Sequence, residues 1–570
     1  MKHGRVALGA TLLMLLATIM AACGNPGTGP VVGQQQYNYQ TPTHNGGTVV
    51  FSDWQFPDST NPWFATSVVD FELIPALYGG PVTIGSDGNF LPDEVTEVPT
   101  LANGDVSKDG LTVTLKLRHD LKWSDGQELT ADDFVYWLNV LLDPNTAAAS
   151  TAGFDPDTLA SYVAQDKYTL VLKYVKPFAP YLSYLPFAAP KHAWGSIADK
   201  DLANTEEVNL TTKVTSGPFV VQDFASQQSV TMIPNPNFTS TTLHKTVLDK
   251  LVFKGFSSKD ALIAGYQAGE TDHAQDFSNA DIQKVTGLPG LHIAPAISYE
   301  HIDFNLQNAA LQDINVRKAI EEAIDRCQII QAVLNQTCDK VGVDTILPAP
   351  SPYYDSTIKA LPFSLTQAKA DMQAAGWDCS ANPCTKAGKP FPTLNLVTTS
   401  GNTQRANVTE IVKQDLGNLG VPVNLDGQYY GNGPLFAGYG QNGILARGNY
   451  DLALFAYTFG VDADGALYPS FDSTQIPSDA NPAGGNYERV NDPQVDQLLE
   501  QGRTTLDPAK RHDIYVTLQK LLIQDVYTIP MYLRPNITLT SDNVGNYIDN
   551  PTSAGNTWNV GDWFVKRAAQ

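Results

Sequence analysis

The residues that could carry covalent chemistry do not assemble into any reactive pattern. The chain has no Gly-x-Ser-x-Gly, no His-Glu-x-x-His and no Gly-x-x-x-x-Gly-Lys. Its nine histidines are scattered and form no spaced ligand pair, and the carboxylates are too numerous to single out a dyad. Asp462-x-Asp464-Gly465 could begin a calcium loop, but the remaining ligating positions are missing. These features exclude an enzyme and call for no metal and no cofactor. The chemistry that remains is non-covalent. Tyr429 and Tyr430 stand in a Gly- and Asn-rich loop over 427–443, where core packing does not explain them. Aromatic rings with a polar tip suit amphipathic ligands.

The first residues place this chemistry outside the cytoplasm. Lys2 and Arg5 precede an apolar run over 7–22, which ends Met20-Ala21-Ala22-Cys23. A basic start, a short apolar core and small residues at its end describe a secretory signal peptide over 1–22. The cysteine at the cut resembles the bacterial lipobox, so Cys23 is expected to carry a lipid and become the mature first residue. Residues 23–45, rich in Gly, Pro, Gln and Thr, read as lipid anchor and flexible tether. Loss of the leader removes two basic residues from 36 and leaves the 59 acidic ones, taking the net charge from −23 to −25. Such a surface argues against nucleic acid and tolerates cationic or zwitterionic ligands. With Cys23 lipidated, four cysteines remain in an oxidising compartment, and local pairing predicts disulfides Cys327–Cys338 and Cys379–Cys384.

The elements that must position a site are mixed α/β, and the length calls for more than one lobe. Strands are expected at 48–51, at 111–118 with two-residue alternation, and at 168–174, 394–398, 421–426 and 452–457. Thr130-Ala-Asp-Asp133 starts a helix through Phe134, Trp137, Leu138 and Leu141. Further helices are expected over 316–334, 493–505 and 508–526. Trp123, Trp137 and Trp194 are assigned to packing. Arg317, Lys318, Glu321, Glu322, Asp325 and Arg326 are read as the solvated, structural face of the 316–334 helix, with Glu322 and Arg326 at i,i+4 spacing.

With these elements placed, the stretch Asp109-Gly-Leu-Thr-Val-Thr-Leu-Lys-Leu-Arg-His-Asp-Leu-Lys-Trp-Ser-Asp-Gly-Gln-Glu-Leu-Thr-Ala-Asp-Asp-Phe134 resembles a signature of the extracellular solute-binding proteins of dipeptide, oligopeptide and nickel ABC importers. Ser216-Gly-Pro-Phe219, Asn235-Pro-Asn-Phe238, Ala268-Gly-Glu-Thr-Asp272, Phe304-Asn305, Asn315 to Arg326, Asp496 to Glu500 and Ile529 to Tyr532 follow in the family's order. The resemblance implies an α/β, type II periplasmic-binding-protein clamshell with an extra subdomain on the first lobe. Carried over, the first lobe is 46–80 with 215–297 and 530–570, the extra subdomain 81–214 and the second lobe 298–529. It also implies a monomer that captures short peptides in the cleft and hands them to a membrane permease. Oligosaccharide binding, or nickel or metal-chelate binding with His273, His292 and His301 near the crossing, are the rival readings within the family.

A receptor for many peptides should grip their backbone and charged termini. In oligopeptide-binding members an aspartate after a Gly-Trp-type strand end holds the ligand's amine. Here Tyr457 falls on the tryptophan position, and Gly460 stands where the aspartate would be. Asp462 or Asp464 is the expected replacement, with Phe459 in the same stretch. Trp54 after the first strand and Tyr299 at the crossing complete the expected ligand-binding set.

Overall fold

The computed structural model describes residues 36–567 apart from 66, 147, 149, 152, 295, 296 and 350. The leader, Cys23 and the tether up to residue 35 lie outside the described residues. Residues 36–45 depart from a free tether. The Tyr37 hydroxyl donates to Asp562 at 2.7 Å and the backbone N–H of Gln40 to Asn546 at 2.8 Å, while the Tyr39 ring stacks on His244. Two tyrosines in this otherwise uncharged stretch supply the rings and hydroxyl that hold it down. Among the described residues no helix is long and apolar enough to cross a membrane.

Two large sheets organise the chain. The first has seven strands in the spatial order Leu291–Ala294, Asn536–Thr540, His273–Phe277, Thr48–Asp53, Lys250–Gly255, Ser229–Pro234, Phe219–Ala225. The second runs Val423–Asn424, Leu394–Thr399, Leu452–Thr458, Ser298–Phe304, Thr528–Leu533, with Tyr429–Tyr430 beside Leu394–Thr399. Residues 530–533, expected with the first lobe, pair instead with Ser298–Phe304, so the chain returns to the first sheet only past Arg534. A three-stranded sheet of Thr112–Lys116, Thr169–Tyr174 and Leu159–Asp166 belongs to the segment between the first two strands of the seven-stranded sheet.

Local chemistry explains the elements. The Thr130 N–H donates to the Asp133 carboxylate at 2.9 Å and starts the helix Ala131–Leu142, which buries Phe134, Trp137, Leu138 and Leu141. Gly126 closes the turn before it with φ of +91°, open to glycine without strain. Helices Pro493–Thr504 and Pro508–Gln524 begin with proline after a capping aspartate, Asp492 and Asp507. Trp63, Trp123, Trp137 and Trp194 share one core with Val49 and Phe51 of the first sheet, and a separate core underlies the second. The sulfurs of Cys327 and Cys338 are joined, as are those of Cys379 and Cys384.

The expected helix 316–334 is broken. Ile314–Ala323 ends at Ile324, and Asp325 caps a new turn by accepting from the Gln328 N–H at 2.9 Å. Its charges are not a solvated face either. Arg317, Glu321 and Glu322 are buried. Arg317 donates to the carbonyls of Leu311, Asp525 and Val526, and Arg326 to those of Val343 and Pro530. Guanidinium groups that satisfy several backbone acceptors at once can be buried where carbonyls converge from other elements. Charge spacing along one helix cannot reveal that.

Candidate functional site

Both sheets present the carboxyl ends of their parallel strands to the same place. Leu394–Thr399 and Leu452–Thr458 run parallel, and Ser298–Phe304 runs against Leu452–Thr458 and Thr528–Leu533. Thr399, Thr458 and Leu533 therefore end at the edge where Ser298 begins. In the first sheet Asp53, Gly255 and Phe277 end at the edge where Ala294 leaves and Asn536 enters. The crossings from 294 to 298 and from 533 to 536 join these two edges. Carboxyl edges of open α/β sheets are where ligands bind, and here two of them border one cleft.

The first-sheet rim is acidic. A bulge between Ala274 and Phe277 re-aims Gln275 and Asp276, and Asp276 takes the left-handed φ of 60°. Trp54 Nε1 donates to Asp276 Oδ2 at 2.5 Å, and Lys259 Nζ lies 5.5 Å from the Trp54 ring centroid and 3.9 Å from Asp276. Asp53 is buried behind them, and burial together with the Asp276 charge holds its carboxyl well above the usual range. Glu72, on the helix Val68–Leu77, accepts from Thr557 Oγ1 at 3.2 Å, and burial pushes it up to about 7. A carboxyl raised in the folded state binds its proton more tightly there than in the unfolded chain. Its stabilising contribution is thus complete below the unfolded value of about 4.3 and is lost as pH rises through about 7. Glu72→Gln is expected to flatten the fall in melting temperature between about pH 5 and about pH 8, read by calorimetry. An unchanged slope would remove Glu72 from this role.

The second-sheet rim carries the opposite charge at its surface. Glu300 is buried and bound by both Nε and Nη2 of Arg405, at 3.0 and 2.9 Å, while Arg405 Nη1 reaches Thr399 Oγ1 at 2.8 Å. Arg534, at the return crossing, is held by its N–H to the Ser298 carbonyl at 2.9 Å and stands 3.7 Å from Glu300 with its side chain 42% exposed. Glu300 serves Arg405, which leaves the Arg534 guanidinium facing solvent.

Comparison with known proteins agrees with this geometry. The family model described as bacterial extracellular solute-binding proteins, family 5 Middle, matches residues 96–478. This chain belongs to that family. The murein peptide-binding protein MppA of Escherichia coli is 26% identical over 528 residues, covering 87% of this chain and 89% of that one. The oligopeptide-binding protein OppA of Salmonella typhimurium is 25% identical over 577 residues, 96% of each. The structure of AppA from Bacillus subtilis in complex with a nonapeptide superposes with a TM-score of 0.71 at 22% identity, covering 92% of this chain and all of that one. The α/β fold is thus the two-lobed type II binding-protein fold with its extra subdomain.

This family 5 binding protein places the expected site residues unevenly. Trp54 stands on the cleft rim, about one-third exposed. Tyr299 and Phe459 are core residues, 1% and 2% exposed, and cannot reach a ligand in this arrangement. Tyr299, Tyr457 and Phe471 stack in a row inside the second lobe, and the Tyr457 hydroxyl points to Glu488 at 3.4 Å. The aromatic at the family's tryptophan position is thus turned inward by the alternation of its strand. Tyr429 donates to or accepts from Thr409 at 2.9 Å and packs on the second core, and Tyr430 packs beside Val397 and Phe455. The Gly-rich loop contributes a short strand whose tyrosines are half-buried, contrary to the expectation that packing would not claim them.

The two aspartates differ. Asp462 takes Arg511 with both oxygens, at 2.6 and 2.8 Å, and Arg511 also reaches the Tyr353 hydroxyl and the Gly502 carbonyl. Asp462 is therefore spoken for within the second lobe. Asp464 is buried, lies 3.4 Å from Arg503 Nε, and burial raises its carboxyl to about 7. The three histidines have separate partners: His273 with Thr540, His292 with Asp549, His301 with Asp303. Among the described residues no three His, Cys, Asp or Glu side chains converge as a metal site would need.

Asp53, Glu72, Asp276, Lys259, Glu300, Arg405 and Arg534 were not singled out from sequence. Asp53, adjoining Trp54, and Arg534, just past the Ile529-Pro-Met-Tyr532 match, had a signal in their position at strand ends. Asp276 reaches the first rim through the register of the first sheet, Glu300 the opposite rim through that of the second, and Glu72 comes in from the helix Val68–Leu77.

Proposed function

We propose that this protein captures short peptides between its lobes and delivers them to the membrane permease of an ABC importer. In this reading the first lobe comprises 46–80, 215–297 and the chain beyond Arg534, the extra subdomain 81–214, and the second lobe 298–533. The observation that carries the peptide reading is the polarity of the cleft. Asp276 beside the Trp54 ring, with Asp53 buried behind it, opposes the exposed Arg534 guanidinium across two strand edges. That arrangement suits a zwitterionic chain whose amide groups lie along the strand ends, its ammonium toward the first lobe and its carboxylate toward Arg534. Asp276 supplies the charge that Gly460 lacks. The names of MppA, OppA and AppA, each a peptide binder, support the same class. The protein changes its ligand in no bond, works as a monomer, and is held to the bacterial cell membrane, on its outer face or periplasmic side, by a lipid on Cys23 after removal of residues 1–22.

The test is a comparison of native and denaturing mass spectra of residues 24–570 purified from cells. The expected result is a heterogeneous added mass that dissociates into short peptides. Added mass from an oligosaccharide or a metal chelate, with no peptide, would overturn the ligand class.

A further inference from the structure

A second cavity lies where the extra subdomain meets the second lobe. The two bodies are joined there by the Ala179 N–H donating to the Arg503 carbonyl at 2.7 Å and by Lys176 with Glu500 at 2.8 Å. Between them is a polar cavity of about 520 Å³, within the range of small-molecule sites. Asp464 lines it from the second lobe, and Asp155 and Asp157 from the extra subdomain. The Asp464 side chain is 3% exposed, and no hydrogen bond reaches its Oδ1. Arg503 approaches that oxygen to 3.4 Å without hydrogen-bond geometry, its guanidinium drawn instead over the Tyr468 ring at 3.9 Å and toward Phe178 at 5.5 Å. Four carboxylates, those of Asp155, Asp157, Asp464 and Glu500, thus face two cations, Lys176 and Arg503.

A buried carboxylate oxygen without a donor is costly, and the room beside it is large enough for the donor to come from outside. We propose that this cavity receives a lysine or arginine side chain of the bound peptide, whose ammonium or guanidinium donates to Asp464. The assignment rests on the peptide reading above. It differs from an amine clamp: the cavity is walled by the extra subdomain, away from the Asp276 rim that serves the ligand's terminus. Asp464 follows by six residues the strand Leu452–Thr458, whose carboxyl end lies at the cleft edge. Its walls come from two bodies, so a cationic side chain seated there also ties them together.

The experiment incubates the ligand-stripped protein with a synthetic pool of randomised four- to nine-residue peptides and sequences what is retained. Lysine and arginine are expected to be enriched about tenfold over alanine at one fixed distance from the amino terminus, the scale of one charge-assisted hydrogen bond. Asp464→Asn, isosteric but neutral, abolishes the enrichment. Asp157→Asn, on the opposite wall and exposed, lowers it about twofold and guards against a folding defect in the first variant. Equal enrichment in the wild type and Asp464→Asn overturns the pocket, as does capture of peptides with no preference for cations at any position. A wild-type protein that retains no peptide overturns the peptide reading along with it.

Discussion

Asp462→Ala is expected to destabilise the second lobe by about 3–5 kcal/mol, the cost of removing one partner from a buried ion pair. Arg511 is 6% exposed on the helix Pro508–Gln524 and cannot move to water. It loses two acceptors at 2.6 and 2.8 Å and keeps only the Gly502 carbonyl and the tyrosine hydroxyls of Tyr353 and Tyr515. Asp462→Asn keeps an oxygen in place and is expected to cost less. Adding Arg511→Met to Asp462→Ala should recover part of the loss, because no charge is then left buried. Urea unfolding monitored by circular dichroism reads these differences. A stability within about 1 kcal/mol of wild type, together with a tenfold loss of peptide affinity, would instead make Asp462 a ligand contact.

Glu300→Ala is expected to cost a similar 3–5 kcal/mol, roughly, for the same reason, and to change the cleft as well. Arg405 sits at the start of the helix Thr403–Leu419, 8% exposed, with Thr399 as its other side-chain partner. Without Glu300 the cleft edge holds Arg405 and Arg534 with no carboxylate between them. Stability falls, and the remaining folded protein should favour ligands with a free carboxylate over their amidated forms more strongly than the wild type does. Denaturant midpoints give the first effect, and paired titrations with a peptide acid and its amide give the second. An unchanged acid-to-amide ratio would mean that Arg534 does not face the ligand's carboxylate.

The local elements were legible because their signals are local. Thr130 with Asp133, proline after Asp492 and Asp507, and the alternation of 111–118 each act within a few residues, and the helices and strands begin close to where they predict. The disulfide pairs were legible for the same reason, since each closes a short loop. The motif order along the chain carried the family, and the family carried the fold.

What the sequence determined by itself was the class of protein: an α/β solute-binding protein with an acidic body and no reactive constellation. Which residues border the cleft was decided by tertiary structure alone. Tyr299 and Phe459 have the right types at a plausible strand end yet are buried in the second-lobe core, and Tyr457 is turned to pack against it. Asp462 and Asp464 are two residues apart and chemically identical. One meets Arg511 and the other Arg503 without hydrogen-bond geometry, because the partners arrive from helices Pro508–Gln524 and Pro493–Thr504, 49 and 39 residues downstream of Asp462 and Asp464. Asp53 and Asp276 gather on one rim from positions 223 residues apart, through strand pairing that no local pattern encodes, and Glu72 joins them from the helix Val68–Leu77. A charge's role depends on what faces it, and what faces it is set by the packing of distant segments.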